Sequence, residues 1–253
     1  MTTTQGASLG IDTSDPAEAL ANAALLLARR FAAGATMWCV APEWSSHGRH
    51  VAVEFVHPVI VGKRALPAMY VEAPDATGAL RLLARAGDVL LVLGAGDEPG
   101  VRDLMQRSEA WGLVRLWLGA GPRPQSDYCD QLIWLETTGS DDRAFDDPAF
   151  DDPAISGDLV MLYHLLWELT HVVFEHPGLL EPDSCDAGEV CITCSDEGRV
   201  AEVTLVHDET RVDVVTQGRP ETIDASLIEP VEPGDLVLVH AGVALTTLTG
   251  GMP

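Results

Sequence analysis

The sequence predicts an α/β chain: a three-layer αβα domain built on a five-stranded parallel sheet, followed by a small β-barrel. Three observations lead there. Helical and strand-like segments alternate from Asp15 to about Pro182, a cluster of Pro, Gly, Asp and Glu between His176 and Gly188 breaks the helical period, and beyond Gly188 only short β-rich runs occur. Alternating strands and helices give a parallel sheet covered on both faces. Short, evenly spaced strands separated by turn residues give a barrel of the OB-like kind. The expected division is residues 1–180 for the α/β domain, 181–188 for a linker and 189–253 for the barrel.

The elements follow in order. Asp15-Pro16 pairs an N-cap with a first-turn proline and opens an Ala/Leu-rich helix to Ala33. Thr36 to Ala41 reads as a short buried strand, and Ser45 or Ser46 is placed to cap the next helix, which runs to about Val56. A strand at Ala68 to Val71, a helix from Asp75 to Ala86, a strand at Asp88 to Leu93 and a helix from Pro99 to Trp111 come next. Leu113 to Leu118 and Gln131 to Leu135 complete the five strands, and Gly157 to Val173 forms the last helix. Trp38 and Trp44 are expected to pack in the core. Ahead of the last helix, Ala144 to Pro153 repeats the unit Ala-Phe-Asp-Asp-Pro once. Its four aspartates could attract a divalent cation, but an acidic, proline-broken run is expected to be a solvated loop. In the barrel, strands are expected at Val200 to Val206, Arg211 to Thr216, Glu221 to Ile223 and Leu236 to His240.

Composition narrows the function classes. The formal net charge is −24 over 253 residues. Such a chain repels nucleic-acid phosphates and anionic membrane surfaces, which leaves a basic or neutral protein as the expected kind of partner. No apolar run reaches the roughly 18 residues that span a bilayer, and the polar start Met1 to Gly6 lacks the basic region of a signal peptide. The expected location is therefore the cytoplasm. Three of the five cysteines, Cys185, Cys191 and Cys194, crowd into ten positions, which points to metal or redox chemistry ahead of a disulfide framework.

A thiolate at the start of one β-segment and an imidazole at the end of another can meet on a transition metal when a small barrel brings the strands together. Cys191 precedes the first barrel strand, and His240 closes the run Gly234-Asp235-Leu236-Val237-Leu238-Val239-His240-Ala241-Gly242-Val243-Ala244. This block resembles that of the HypC/HupF family of hydrogenase maturation chaperones. The resemblance implies that Cys191 and His240 hold the iron of an Fe(CN)2CO fragment on its way to a nickel-iron active site. It also implies two partners: the iron-sulfur scaffold protein that builds the fragment (HypD-like) and the precursor of the [NiFe]-hydrogenase large subunit. Gly242 is expected to let a backbone approach closely. Cys194 adds an extra thiol, and the Cys-x-x-Cys pair it makes with Cys191 leaves a zinc site open, with Cys185 and His240 as further ligands.

The first part carries a second resemblance. His50-Val51-Ala52-Val53-Glu54-Phe55, then Ala65 to Ala68, then Gly87 to Leu93 and finally Leu162 to Glu168 resemble the SIS (sugar isomerase) domain family, on the sedoheptulose-7-phosphate isomerase side, over roughly residues 16–175. The resemblance implies that Glu54 and His164 shuttle a proton between C1 and C2 of a phosphosugar, with Ser45 and Ser46 as residual phosphate donors. It also implies a homodimer through the SIS-like helices. The phosphate loops tell against the enzyme: Ala41 to Ser45 and Gly94 to Pro99 bring Pro42, Glu43, Asp97 and Glu98 where hydroxyls and backbone N–H groups would wrap a dianion. The alternative reading makes Glu54 a surface residue and His164 a buried helix residue. Two functions are thus expected in order: an accessory chaperone delivering the iron fragment, then a phosphosugar isomerase with a regulatory barrel.

Overall fold

The computed structural model describes residues 16–72, 75–96, 98–121, 123–124, 128–135, 153–180 and 198–248. Its first part is a three-layer αβα arrangement. Five short strands, β1 (Met37–Val40), β2 (Ala68–Val71), β3 (Val89–Leu93), β4 (Val114–Ala120) and β5 (Gln131–Leu135), pair in the order β2-β1-β3-β4-β5. All four pairings are parallel. β3 reads Val-Leu-Leu-Val-Leu with every residue buried, the unbroken apolar run expected of a strand covered on both faces.

Five helices supply the covers: α1 (Pro16–Ala32), α2 (Ser45–Val56), α3 (Ala76–Leu83), α4 (Pro99–Ala110) and α5 (Pro153–Glu175). One face packs Leu27 of α1, Val51 and Phe55 of α2 and Tyr163 and Leu166 of α5 onto Met37, Leu91 and Leu116. The other packs Leu80 of α3 and Leu104 and Met105 of α4 onto Val40, Leu90 and Trp117. Alternate strand residues serve opposite faces, as the pleat requires. The buried Asp88 carboxylate ties the starts of β1 and β3 together by accepting bonds from Thr36 N (2.9 Å), Trp38 Nε1 (2.9 Å) and Arg85 N (3.0 Å). Trp38 and Trp44 are buried as expected.

The barrel follows: β6 (Arg199–Val206), β7 (Arg211–Thr216), β8 (Arg219–Asp224), β9 (Leu236–His240) and β10 (Val243–Thr247), closed in the order β10-β8-β7-β6-β9. Ala201, Val203, Val212, Val214, Ile223, Val237, Val239 and Ala244 fill its interior. Closure rests on the antiparallel β9–β10 pair and a single parallel bridge, Val243 to Asp224.

Several boundaries differ from the sequence reading. β10 is an added fifth barrel strand, joined to β9 by the two-residue turn Ala241-Gly242, whose φ angles of 50° and 81° are left-handed. Nothing lies within 4 Å of a Cβ built on Gly242, so this glycine serves the turn and not a close backbone approach. α5 begins at Pro153, four residues earlier than expected, because a proline suits the first turn of a helix. α3 ends at Leu83, since Ala84 is extended. The residue before α2 is Trp44, with no side-chain cap, so neither Ser45 nor Ser46 caps that helix. The linker at 181–188 and the repeat at 144–152 lie outside the described residues.

Barrel and α/β part are packed together through α4. Trp111 Nε1 donates to the buried Glu202 carboxylate, Arg107 Nη1 donates to Gly234 O (2.6 Å), and Gly218 N donates to Ala110 O (2.8 Å). Gly218 has φ 72°, and a Cβ there would stand 2.5 Å from that of Ala86, so the β7–β8 turn requires glycine on both counts.

Candidate functional site

Two groups of side chains carry chemistry. The first lies where α2 and α5 run side by side. His50 and Glu54 are four apart on α2 and therefore share a face. Tyr163 and His164 come from α5. His50, Glu54 and His164 each turn one ligand-capable atom to a common point, all within 4.8 Å of one another. His164 Nε2 stands 3.6 Å from Glu54 Oε2. Its Nδ1 lies 2.7 Å from Val160 O, and since a carbonyl only accepts, that nitrogen carries the proton and leaves Nε2 to face the carboxylate. Tyr163 Oη and His50 Nδ1 are 2.8 Å apart. The His50 and His164 rings meet edge to face, with centroids 5.1 Å apart.

Burial orders this cluster electrostatically. Tyr163 is fully buried, and its phenol is pushed up to about 12, by burial first and then by the Glu54 charge, so it stays protonated. His47, one turn before His50, is held below its ordinary value by burial and then by the neighbouring His50. Glu54 is 8% exposed, whereas the His164 side chain is 40% exposed. The reading of Glu54 as a surface residue and His164 as a buried one is therefore reversed. α2 packs so closely on β2 that a Cβ at Gly48 would stand 2.7 Å from the Tyr70 ring, and Glu54 is buried on this helix beside Phe55.

A buried carboxylate facing an open imidazole can pass a proton, and two imidazoles with a carboxylate can hold a divalent cation such as zinc. The sequence reading named Glu54 and His164 but missed His50 and Tyr163. The i, i+4 spacing of His50 and Glu54 was the available signal for the former. Ser45 and Ser46 are exposed at the start of α2, and Ser45 bonds the Tyr70 hydroxyl. The loop after β3 places Glu98 Oε2 only 2.9 Å from where a Gly94 Cβ would sit, so a carboxylate lies where a phosphate cradle would need donors. Arg102, the nearby cation, is engaged with Gly96 O through Nε (3.1 Å) and Nη2 (2.8 Å).

The His47 shift has a measurable consequence. Well above pH 6.5, its ordinary value, His47 is neutral in folded and unfolded chains alike and contributes no pH dependence. Below that pH the unfolded chain takes up a proton that the folded one resists, so stability falls as pH falls. His47→Gln is expected to flatten the acid limb of stability against pH, measured by denaturant unfolding from neutral pH downward. An unchanged acid limb would contradict this assignment.

The second group is in the barrel. His240 ends β9 half-buried, directly before the Ala241-Gly242 turn. Cys185, Cys191 and Cys194, its expected companions, lie outside the described residues. Among the described residues the cysteines are Cys39 and Cys129, both buried, and burial pushes the Cys39 thiol far up. Neither is a ligand candidate.

Comparison with known proteins gives two results. The chain is similar in structure to a phosphoheptose isomerase from Francisella tularensis, at 15% identity and a TM-score of 0.49, over 61% of this chain and 85% of that one. It is also similar to a phosphoheptose isomerase from Neisseria gonorrhoeae, at 16% identity and a TM-score of 0.45, over 60% of this chain and 85% of that one. No curated protein sequence matches the chain. Residues 198–250 match the HupF/HypC family. That span begins after Cys191, includes His240 and coincides with the closed five-stranded barrel. The C-terminal barrel of this chain is therefore similar to the HupF/HypC family, and it follows a three-layer α/β domain.

Proposed function

We propose that this protein is an accessory chaperone of [NiFe]-hydrogenase maturation, whose barrel holds or delivers an Fe(CN)2CO fragment through the Cys191 thiolate and the His240 imidazole. The observation that carries this reading is the HupF/HypC match over residues 198–250, which ends in the strand pair that presents His240. A soft thiolate and a neutral imidazole suit low-spin iron with strong-field diatomic ligands. The partners in this reading are the iron-sulfur scaffold protein and the large-subunit precursor, with a second copy of the chain joined through the α/β helices. No helix of the described residues is long and apolar enough to cross a membrane.

A second reading, phosphosugar isomerisation, is favoured by one observation: a buried Glu54 facing His164 at 3.6 Å. The Glu98 carboxylate in the loop after β3 opposes it, because it repels a phosphate dianion. One preparation separates the two. Protein purified anaerobically with its maturation partners is expected to show cyanide and carbonyl stretches in the infrared and no turnover of sedoheptulose 7-phosphate. Turnover that disappears in Glu54→Gln, with no diatomic stretches, would reverse the order.

A further inference from the structure

We propose that the cleft between α3 and the barrel is a binding site for a small organic oxyanion, either a carboxylate or a phosphate ester. The cavity measures about 360 Å³ and is bounded by Leu80, Arg81 and Arg85 on one side, Glu202 and Val215 on the other, and Trp111 between them. That is the lower end of the size range of small-molecule sites, roughly 300 to 1,000 Å³. It lies on the face of the sheet opposite the His50–Glu54–His164 cluster, since α3 and α4 cover one face and α2 and α5 the other. It also lies at the opposite end of the strands from the loop after β3, because Arg85 precedes that strand. Neither of the sites already described extends into it.

Charge selects the ligand class. In a chain of net charge −24 this cleft presents two guanidinium groups. The one carboxylate on its wall, Glu202, is 2% exposed and already compensated: it accepts the Trp111 indole and faces Arg81 Nη2 at 3.1 Å and Arg107 Nη1 at 3.7 Å. The Arg85 side chain is exposed and enters no ion pair with another described residue. A planar guanidinium reads carboxylate and phosphate oxygens bidentately, and Leu80 and Val215 offer apolar surface to the carbon part of such a ligand. Arg81 is 44% exposed and belongs both to the cleft and to Glu202. An anion in the cleft therefore competes with Glu202 for Arg81, which couples occupancy to the contact that seats the barrel on α4.

The test uses the full chain, titrated calorimetrically with citrate and, separately, with inorganic phosphate at an ionic strength fixed with sodium chloride. Saturable binding of at least one probe is expected, and the stronger probe tells a carboxylate ligand from a phosphate one. Arg85→Gln, at an exposed position, is expected to fold normally and to weaken binding by at least about tenfold, the scale of one charge-assisted bidentate contact. Binding is also expected to move the indole N–H resonance of Trp111, identified by its loss in Trp111→Phe. Absence of saturable binding for both probes, equal binding by Arg85→Gln, or binding that leaves the Trp111 resonance in place would overturn the proposal.

Discussion

His240→Ala is expected to lower hydrogenase maturation by at least about 100-fold in a cell whose large-subunit precursor depends on this protein, and Cys191→Ala is expected to do the same. Changes one shell removed from a metal commonly cost ~10–100-fold in affinity or activity, so loss of a direct ligand costs at least the upper part of that range. His240 is half-buried at a strand end, and its backbone pairs with Val243 whatever the side chain. Truncating it is therefore expected to change stability by no more than about 1 kcal/mol. Maturation and thermal unfolding, measured on the same variants, separate ligand loss from unfolding. Cys194→Ala is expected to be milder. An equal loss would instead assign iron or zinc to the Cys-x-x-Cys pair, and normal maturation by both Cys191→Ala and His240→Ala would remove the proposed iron site.

The largest stability effect is expected at Gly119 in β4. A Cβ there would stand 2.2 Å from Gly94 O and 2.5 Å from the Trp134 ring. Trp134 cannot retreat, since it packs edge to face on Trp117 with centroids 5.9 Å apart and donates to Gly121 O at 2.9 Å. Nor can Gly94 O, which accepts Trp117 Nε1 at 3.2 Å. Overpacking against backbone costs about 3 kcal/mol or more when neighbours are fixed. At about 2–4 °C per kcal/mol for a chain of this size, Gly119→Ala is expected to lower Tm by roughly 10 °C. Gly100→Ala is the control. It lies exposed in α4 with nothing within 4 Å of its added Cβ, and it is expected to leave Tm unchanged or raise it slightly. A loss below about 1 kcal/mol at Gly119 would show that the β3–β4 contact yields more readily than its geometry implies.

The two readings differ in what each part of the molecule is for. In the chaperone reading the α/β domain seats the barrel through α4, and Glu54 and His164 need pass no proton. In the isomerase reading that pair is the centre and the barrel an appendage. Glu98 opposes a phosphate in the loop after β3 by charge, but it does not explain why Glu54 is buried beside two imidazoles. A cluster able to hold a divalent cation thus persists on the α2–α5 face of the molecule.

Local pattern determined most of the fold. The continuous apolar run Val89 to Leu93 could only be a strand covered on both sides, and the turn residues that divide the C-terminal runs marked a barrel before any pairing was known. The Gly234 to Ala244 block marked the family on its own, and the later match over 198–250 agrees with it. What local pattern left out depends on contacts between distant segments. β10 escaped because Val243 to Thr247 has a mixed burial pattern and becomes a strand through pairing with β9. His50 joins Glu54 and His164 only because α2 and α5 pack side by side, which also sets His50 against Tyr163, 113 positions away in sequence. Glu202 lies in the expected strand Val200 to Val206, where sequence alone gives no reason to single it out. Tertiary packing alone buries it, by bringing Trp111, Arg81 and Arg107 around it as α3 and α4 meet the barrel, and desolvating a carboxylate is possible only where such partners converge.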